Sequence, residues 1–231
     1  MRDIRDAWLI GADTAMRSDP RFLASGLWGS LGRGDDDDWS DVDLVVVIAD
    51  GSLEAVSHVL KDEQSPFGAG RLVVDMPQNG VAGGGYLSVT YIDSGLPLHV
   101  DWYLCPPHMG LPACDVRELF KSPDTPRPDI SFADVLRQHP NRQTRRPAHV
   151  VAVLSMIPIA VKYLVRQHAD TPAVLTMVGV DPALAADATA AIDALTTVIN
   201  DLSDEARPET IAALRAVLEL GRTTHTQTAT D

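Results

Sequence analysis

Every strand-like stretch of this sequence precedes a proline-rich break, and only helical periodicity follows it. Short apolar runs rich in β-branched or aromatic residues occur at residues 23–28, 42–48, 72–74, 86–92 and 98–104. Runs of that length and composition read as strands. An amphipathic helix comes first, because Ile4, Trp8, Leu9 and Ala12 recur at spacings of three and four before Asp19-Pro20 ends it. Leu53, Val56 and Leu60 repeat at helical spacing after Ser52, a residue suited to cap a helix between the second and third strands. Asp93-Ser94-Gly95 supplies a hairpin turn to the last two runs, glycine taking the positive φ required there. Pro123, Pro126 and Pro128 then favour an extended linker. Beyond it helical segments span 131–139, 148–168, 182–202 and 208–220, the last two opened by Asp181-Pro182 and Arg207-Pro208, and Pro158 is placed to kink the second. The expected fold is α+β. A mixed β-sheet domain with flanking helices occupies residues 1–125, a C-terminal α-helical bundle occupies 130–222, and a tail at 223–231 is too polar and irregular to pack.

Charge narrows the partners. The chain carries 19 Lys and Arg against 32 Asp and Glu, a net charge of -13. That field repels a nucleic-acid backbone and attracts a small polycation, while a nucleotide still binds where magnesium and local cations neutralise it. Cys105 and Cys114 lack metal-ligand spacing, which disfavours zinc or a disulfide framework and fits a reducing cytoplasm. The N-terminus lacks the apolar stretch of a secretory signal, and the longest charge-free apolar run, 150–161, is too short to span a bilayer. No membrane association is expected.

The chemistry concentrates in residues 27–48. An apolar strand ends at Gly29-Ser30, where glycine permits close approach of phosphate and the serine hydroxyl and successive N–H groups can donate to it. Eleven residues past Ser30, Asp41-Val42-Asp43 opens a strongly apolar strand. The strand period of two sets both carboxylates on one face. Neighbouring carboxylates raise each other's pKa, and a hard divalent cation relieves that cost. A third carboxylate, Asp101, stands alone among the apolar and aromatic residues of 98–104. Once its strand lies beside that of Asp41, three carboxylates converge, enough for a two-metal site that activates a hydroxyl and neutralises a leaving pyrophosphate.

Gly29-Ser30 followed by Asp41-x-Asp43 on a strand, with a later strand carboxylate at Asp101, resembles the DNA polymerase β-like nucleotidyltransferase superfamily. The two-domain layout and Gly29-Ser30-Leu31-Gly32-Arg33-Gly34 are similar to the antibiotic nucleotidyltransferases, aminoglycoside enzymes among them. The resemblance covers residues 23–104 and, in the helical half, architecture only. It implies transfer of a nucleoside monophosphate from a nucleoside triphosphate, with ATP the favoured co-substrate, to a hydroxyl. Two Mg2+ ions are implied as cofactors. By position, Gly29 and Ser30 would receive the triphosphate, Asp41 and Asp43 would hold metal, and Asp101 would complete the metal site or serve as base. Asp75 and Asp93 are rivals to Asp101, but one precedes Met76-Pro77 at a strand end and the other lies in the turn.

Several features carry two readings. Arg33 either clamps phosphate in two-point contact or neutralises the neighbouring Asp run. The four consecutive Asp at 35–38 read as a solvated turn. Lys162, inside an apolar helix, either reaches the triphosphate, as the resemblance implies, or snorkels to solvent. Arg142, Arg145 and Arg146 read as a solvated basic loop or as contacts to nucleotide or acceptor. His99 alternates with Asp101 on the same strand face. The glycine-rich 80–85 stretch lacks the following helix of a phosphate loop and reads as a hairpin connection. The favoured acceptor is a small, cationic hydroxyl compound, and nucleic acid is disfavoured. Two other classes compete: a toxin–antitoxin enzyme that nucleotidylates a protein or tRNA, and a non-catalytic nucleotide-sensing module, which would be expected to lose one of the three carboxylates.

Overall fold

The computed structural model describes residues 1–228, the last three by backbone alone. The chain divides into two compact units. The first is Met1–Tyr91 with Leu98–Pro147; the second is Ile92–Pro97 with the chain from Ala148 onward.

In the first unit a helix, α1 (Arg2–Ser18), leads into β1 (Phe22–Trp28), a short helix α2 (Gly29–Arg33) and β2 (Val42–Ile48). Then follow α3 (Leu53–Lys61), β3 (Gly70–Asp75), β4 (Gly85–Asp93), β5 (Leu96–Cys105), β6 (Arg117–Lys121) and α4 (Phe132–Gln138). The six strands form one mixed sheet in the order β3-β4-β5-β2-β1-β6. β1 runs antiparallel to β2 and β6, while β2 and β5 are parallel. The α+β class read from the sequence is what the chain adopts.

Strand alternation gives the sheet two apolar faces. Val42, Leu44, Val46 and Ile48 of β2 pack with Met16 of α1 and with Val56 and Leu60 of α3. Val45 and Val47 point the other way, into a cluster with Ala24, Cys105, Phe132 and Val135. β5 obeys the same rule, since Val100, Trp102 and Leu104 join the first face while Cys105 and Tyr103 belong with the second. By that period of two, Asp41, Asp43, His99 and Asp101 lie on the second face.

Three local elements differ from the sequence expectations. β6 was not expected and ends where the linker was expected to begin; its Arg-Glu-Leu-Phe-Lys text is short and charged, as edge strands often are. α4 packs in the first unit, with Phe132 fully buried against the sheet and Ser131 accepting the Asp134 N–H as N-cap. The Asp35–Asp38 run is no freely solvated turn. Arg5, only 2% exposed, donates to Asp36 at 2.8 Å and to the Asp37 carbonyl at 3.0 Å, tying the run to α1.

The second unit holds α5 (His149–Val165), which continues through Pro158, and α6 (Thr171–Met177), which the sequence reading missed. A 3-10 turn at Pro182–Ala186 separates off α7 (Ala188–Asp201), so the expected single helix over 182–202 is broken at Asp187, whose side chain caps the Ala190 N–H. The last helix, α8 (Pro208–Thr228), runs on through much of the stretch expected to be an unpacked tail, Thr223 and Thr224 bonding back to carbonyls one turn earlier. The remaining tail, 229–231, lies outside the described residues. Leu154, Ile157, Ile192, Leu195, Leu214 and Val217 are among the second unit's buried apolar side chains. Among the described residues no helix is long and apolar enough to cross a membrane.

Candidate active site

β2 and β5 are parallel neighbours, and their register sets Asp43 directly beside Asp101. Parallel neighbours lie about 4.8 Å apart, so two carboxylates far apart in sequence become adjacent on one face. Asp41 precedes Asp43 by one strand period. On the other side of β2, Trp28 of β1 pairs with Asp43, so the Gly29-Ser30 corner begins where that carboxylate stands.

Gly29 shows how tightly the corner is built. Its φ is +62°, a left-handed conformation, and a Cβ placed on it would stand 2.3 Å from Asp43 Oδ2. The sequence assigned this glycine to close approach of phosphate; the structure adds close approach of a carboxylate. Ser30 follows in the first turn of α2, partly buried.

The Asp101 carboxylate is held by its own face. Tyr86 Oη donates to Asp101 Oδ1 at 2.8 Å, and His99 Nε2 lies 3.3 Å from the same oxygen and 2.9 Å from Ser88 Oγ. Burial pushes the Asp101 carboxyl up, but the charge of His99 and the hydrogen bonds from His99, Tyr86 and Ser88 outweigh it and hold the group below the usual carboxylate range. Burial, then the Asp101 charge, pushes the Tyr86 phenol up, so it stays protonated and donates. Tyr103 is likewise pushed up by burial first and then by Asp101, Asp43 and Asp41 in turn. The three negative charges therefore converge on one phenol.

Beneath the carboxylates is an aromatic floor. Trp28, Tyr103 and Phe132 make mutual edge-on contacts with centroids 5.1–5.4 Å apart. Asp115 pins two of them, accepting from Trp28 Nε1 at 2.9 Å and from the Phe132 N–H at 2.5 Å. Tyr86, Ser88, Tyr103 and Asp115 were missed by the sequence reading. For the first two a signal existed: two-residue turn geometry at Ser94-Gly95, both with positive φ, folds the β4 text back onto that of β5.

Other candidates fall elsewhere. Arg33 pairs with Asp35 at 3.1 Å, both side chains well exposed, which is the neutralising reading rather than a preformed phosphate clamp. Lys162 lies in α5 of the second unit and is 8% exposed, its Nζ 5.7 Å from the Tyr163 ring, so it does not snorkel to solvent. Among the described residues no three His, Cys, Asp or Glu are grouped to hold an ion by themselves. The chemistry of the donor set still fits magnesium. Asp43 and Asp101 offer hard oxygens from adjacent strand positions, and Mg2+ is commonly held by one or two carboxylates plus substrate phosphates.

No protein-family model matches the sequence, and no curated protein matches it. Among solved structures, the chain is similar to the STING-associated CdnE c-di-GMP synthase from Capnocytophaga granulosa, at 10% identity and a TM-score of 0.33, over 98% of this chain and 80% of that one. A score that low bears on neither fold nor chemistry, which rest here on the chain's own sheet and side chains.

Proposed function

We propose that the protein transfers a nucleoside monophosphate from a nucleoside triphosphate to a hydroxyl of a small acceptor. The observation that carries this reading is the register of β2 and β5, which sets Asp43 beside Asp101 on the face that also bears Asp41. Asp41 and Asp43 would hold a divalent cation, with Asp101 as a further ligand. When bound, magnesium would neutralise triphosphate charge and lower the pKa of a coordinated hydroxyl.

The chain's own residues supply the rest. Tyr86 and His99 keep Asp101 ionised and fixed in direction, so no reorientation is needed as charge develops. A carboxyl held below its usual range is a weak base, which favours the ligand role for Asp101 over the base role. Gly29 leaves room for Asp43 at the corner where Ser30 would donate to phosphate. ATP is the favoured donor, and a small cationic polyhydroxylated acceptor, such as an aminoglycoside-like compound, suits a chain of net charge -13.

The test is a screen of acceptors with radiolabelled nucleoside triphosphates and magnesium, run beside Asp41→Asn and Asp43→Asn. Labelled product with the unaltered chain, and none with either variant, is the expected result. Near-equal turnover in either variant would remove the carboxylates from the chemistry.

A further inference from the structure

Arg142, Arg145 and Arg146 form the densest basic run of an acidic chain, and nucleotidyl transfer as derived above makes no use of them. They lie in a stretch, 141–148, with neither helix nor strand. Side chains nevertheless pin it. Asn141 Nδ2 donates to the carbonyls of Val81 at 3.2 Å and Gly84 at 3.1 Å. Gln78 clasps Arg145 through its backbone, donating to the carbonyl at 2.9 Å and accepting from the N–H at 3.0 Å. The clasp delivers the Arg145 guanidinium to Asp75, whose Oδ2 also accepts from Lys61 Nζ at 2.7 Å.

Beside this triad opens a cavity of about 640 Å³, inside the first unit. That volume is within the range of small-ligand sites. Its lining includes Ser57, His58 and Lys61 of α3 together with Gly84 and Gly85, where β4 begins. Asp75 fixes both cationic heads and cannot use all their donors, since an ammonium carries three N–H groups and a guanidinium five. Glu54 is the other carboxylate on the wall, so the pocket is close to neutral within a strongly acidic chain.

We propose that this cavity binds a small phosphorylated molecule, its phosphate taken by Lys61 and Arg145 and its body held in the cavity lined by α3 and by Gly84 and Gly85. A guanidinium matches two phosphate oxygens at once, and an ammonium beside it adds a point charge. The site does not depend on the nucleotidyl-transfer reading, because Asp41, Asp43 and Asp101 take no part in it.

Calorimetric titration of the full chain in EDTA with inorganic phosphate, ribose 5-phosphate and AMP tests the proposal, with ribose and adenosine as unphosphorylated controls. At least one phosphorylated probe should bind and its control should not. Lys61→Ala and Arg145→Ala should each weaken that binding about tenfold or more, the loss expected for a hydrogen bond to a charged group. Asp75→Asn should tighten it by removing the competing carboxylate, a gain that a merely structural role for the triad would not give. Asp43→Asn should leave it unchanged. Failure of every phosphorylated probe to bind, undiminished binding in both cation variants, or loss of binding in Asp43→Asn would overturn the proposal.

Discussion

A methyl group at Gly29 would share space with the Asp43 carboxylate and would also force a side chain onto a φ of +62°. Left-handed backbone costs an ordinary residue about 1–2 kcal/mol. Gly29→Ala should therefore lower unfolding free energy by at least about that amount in denaturant melts, and should abolish transfer by displacing Asp43. In the double variant with Asp43→Ala the steric part of the loss should vanish while activity stays absent; a fully additive cycle would show that the two residues do not touch. That Asp41 and Asp43 share a face was legible from the sequence because parity along an apolar strand needs no tertiary knowledge, whereas Asp101 reached them only on the condition, met in the structure, that its strand pairs with β2. The hidden part was what holds them. Tyr86 is marked as a donor to Asp101 only once the turn at Ser94-Gly95 is used to fold β4 onto β5, and nothing in the text around Asp115 marks an aromatic clamp.

Between β4 and β5, the Tyr86 hydroxyl is the lever on Asp101. Tyr86→Phe keeps the ring and removes one hydrogen bond to a charged group, at a stability cost of about 1.5–3 kcal/mol. Transfer at saturating substrates should fall while nucleotide affinity changes less; unchanged turnover would mean that Asp101 needs no such anchor. The α1–β1 corner depends on pH. Asp19 is held below the usual carboxylate range chiefly by its hydrogen bond with Arg21, against the upward push of burial. Its contribution to stability is therefore complete above the usual carboxylate range and disappears as pH falls through the lowered native value. Asp19→Asn should flatten the acid limb of melting temperature measured from pH 6 to pH 2. Elements with strong periodicity, such as α1 and β2, were readable almost to their ends. β6 and α6 were not, because one is a short charged edge that only β1 makes into a strand, and the other is a short helix with little periodicity to show.

At the scale of the molecule, the first unit closes at Pro147, beyond the proline-rich stretch where the sequence suggested a boundary. Composition marks where a chain is extended, and cannot show that Phe132 returns to cover the sheet. A fragment ending at 147 should unfold cooperatively, whereas one ending at 125 lacks Phe132 and Val135 and should be less stable by more than the roughly 3–5 kcal/mol of a single Phe→Ala truncation. Comparable melts for the two fragments would contradict that.

The parallel pairing of β2 with β5 also has a consequence in time. Antiparallel neighbours such as β1 and β2 can meet through the short stretch between them, but a parallel pair must wait for a long crossover, here one that contains α3, β3 and β4. Closing so long a loop spends chain entropy before any contact repays it. The ledge on which Asp43 meets Asp101 is thus expected among the last pieces of the sheet to form, and under the proposed function a newly made chain would stay inactive until the rest of that sheet is in place.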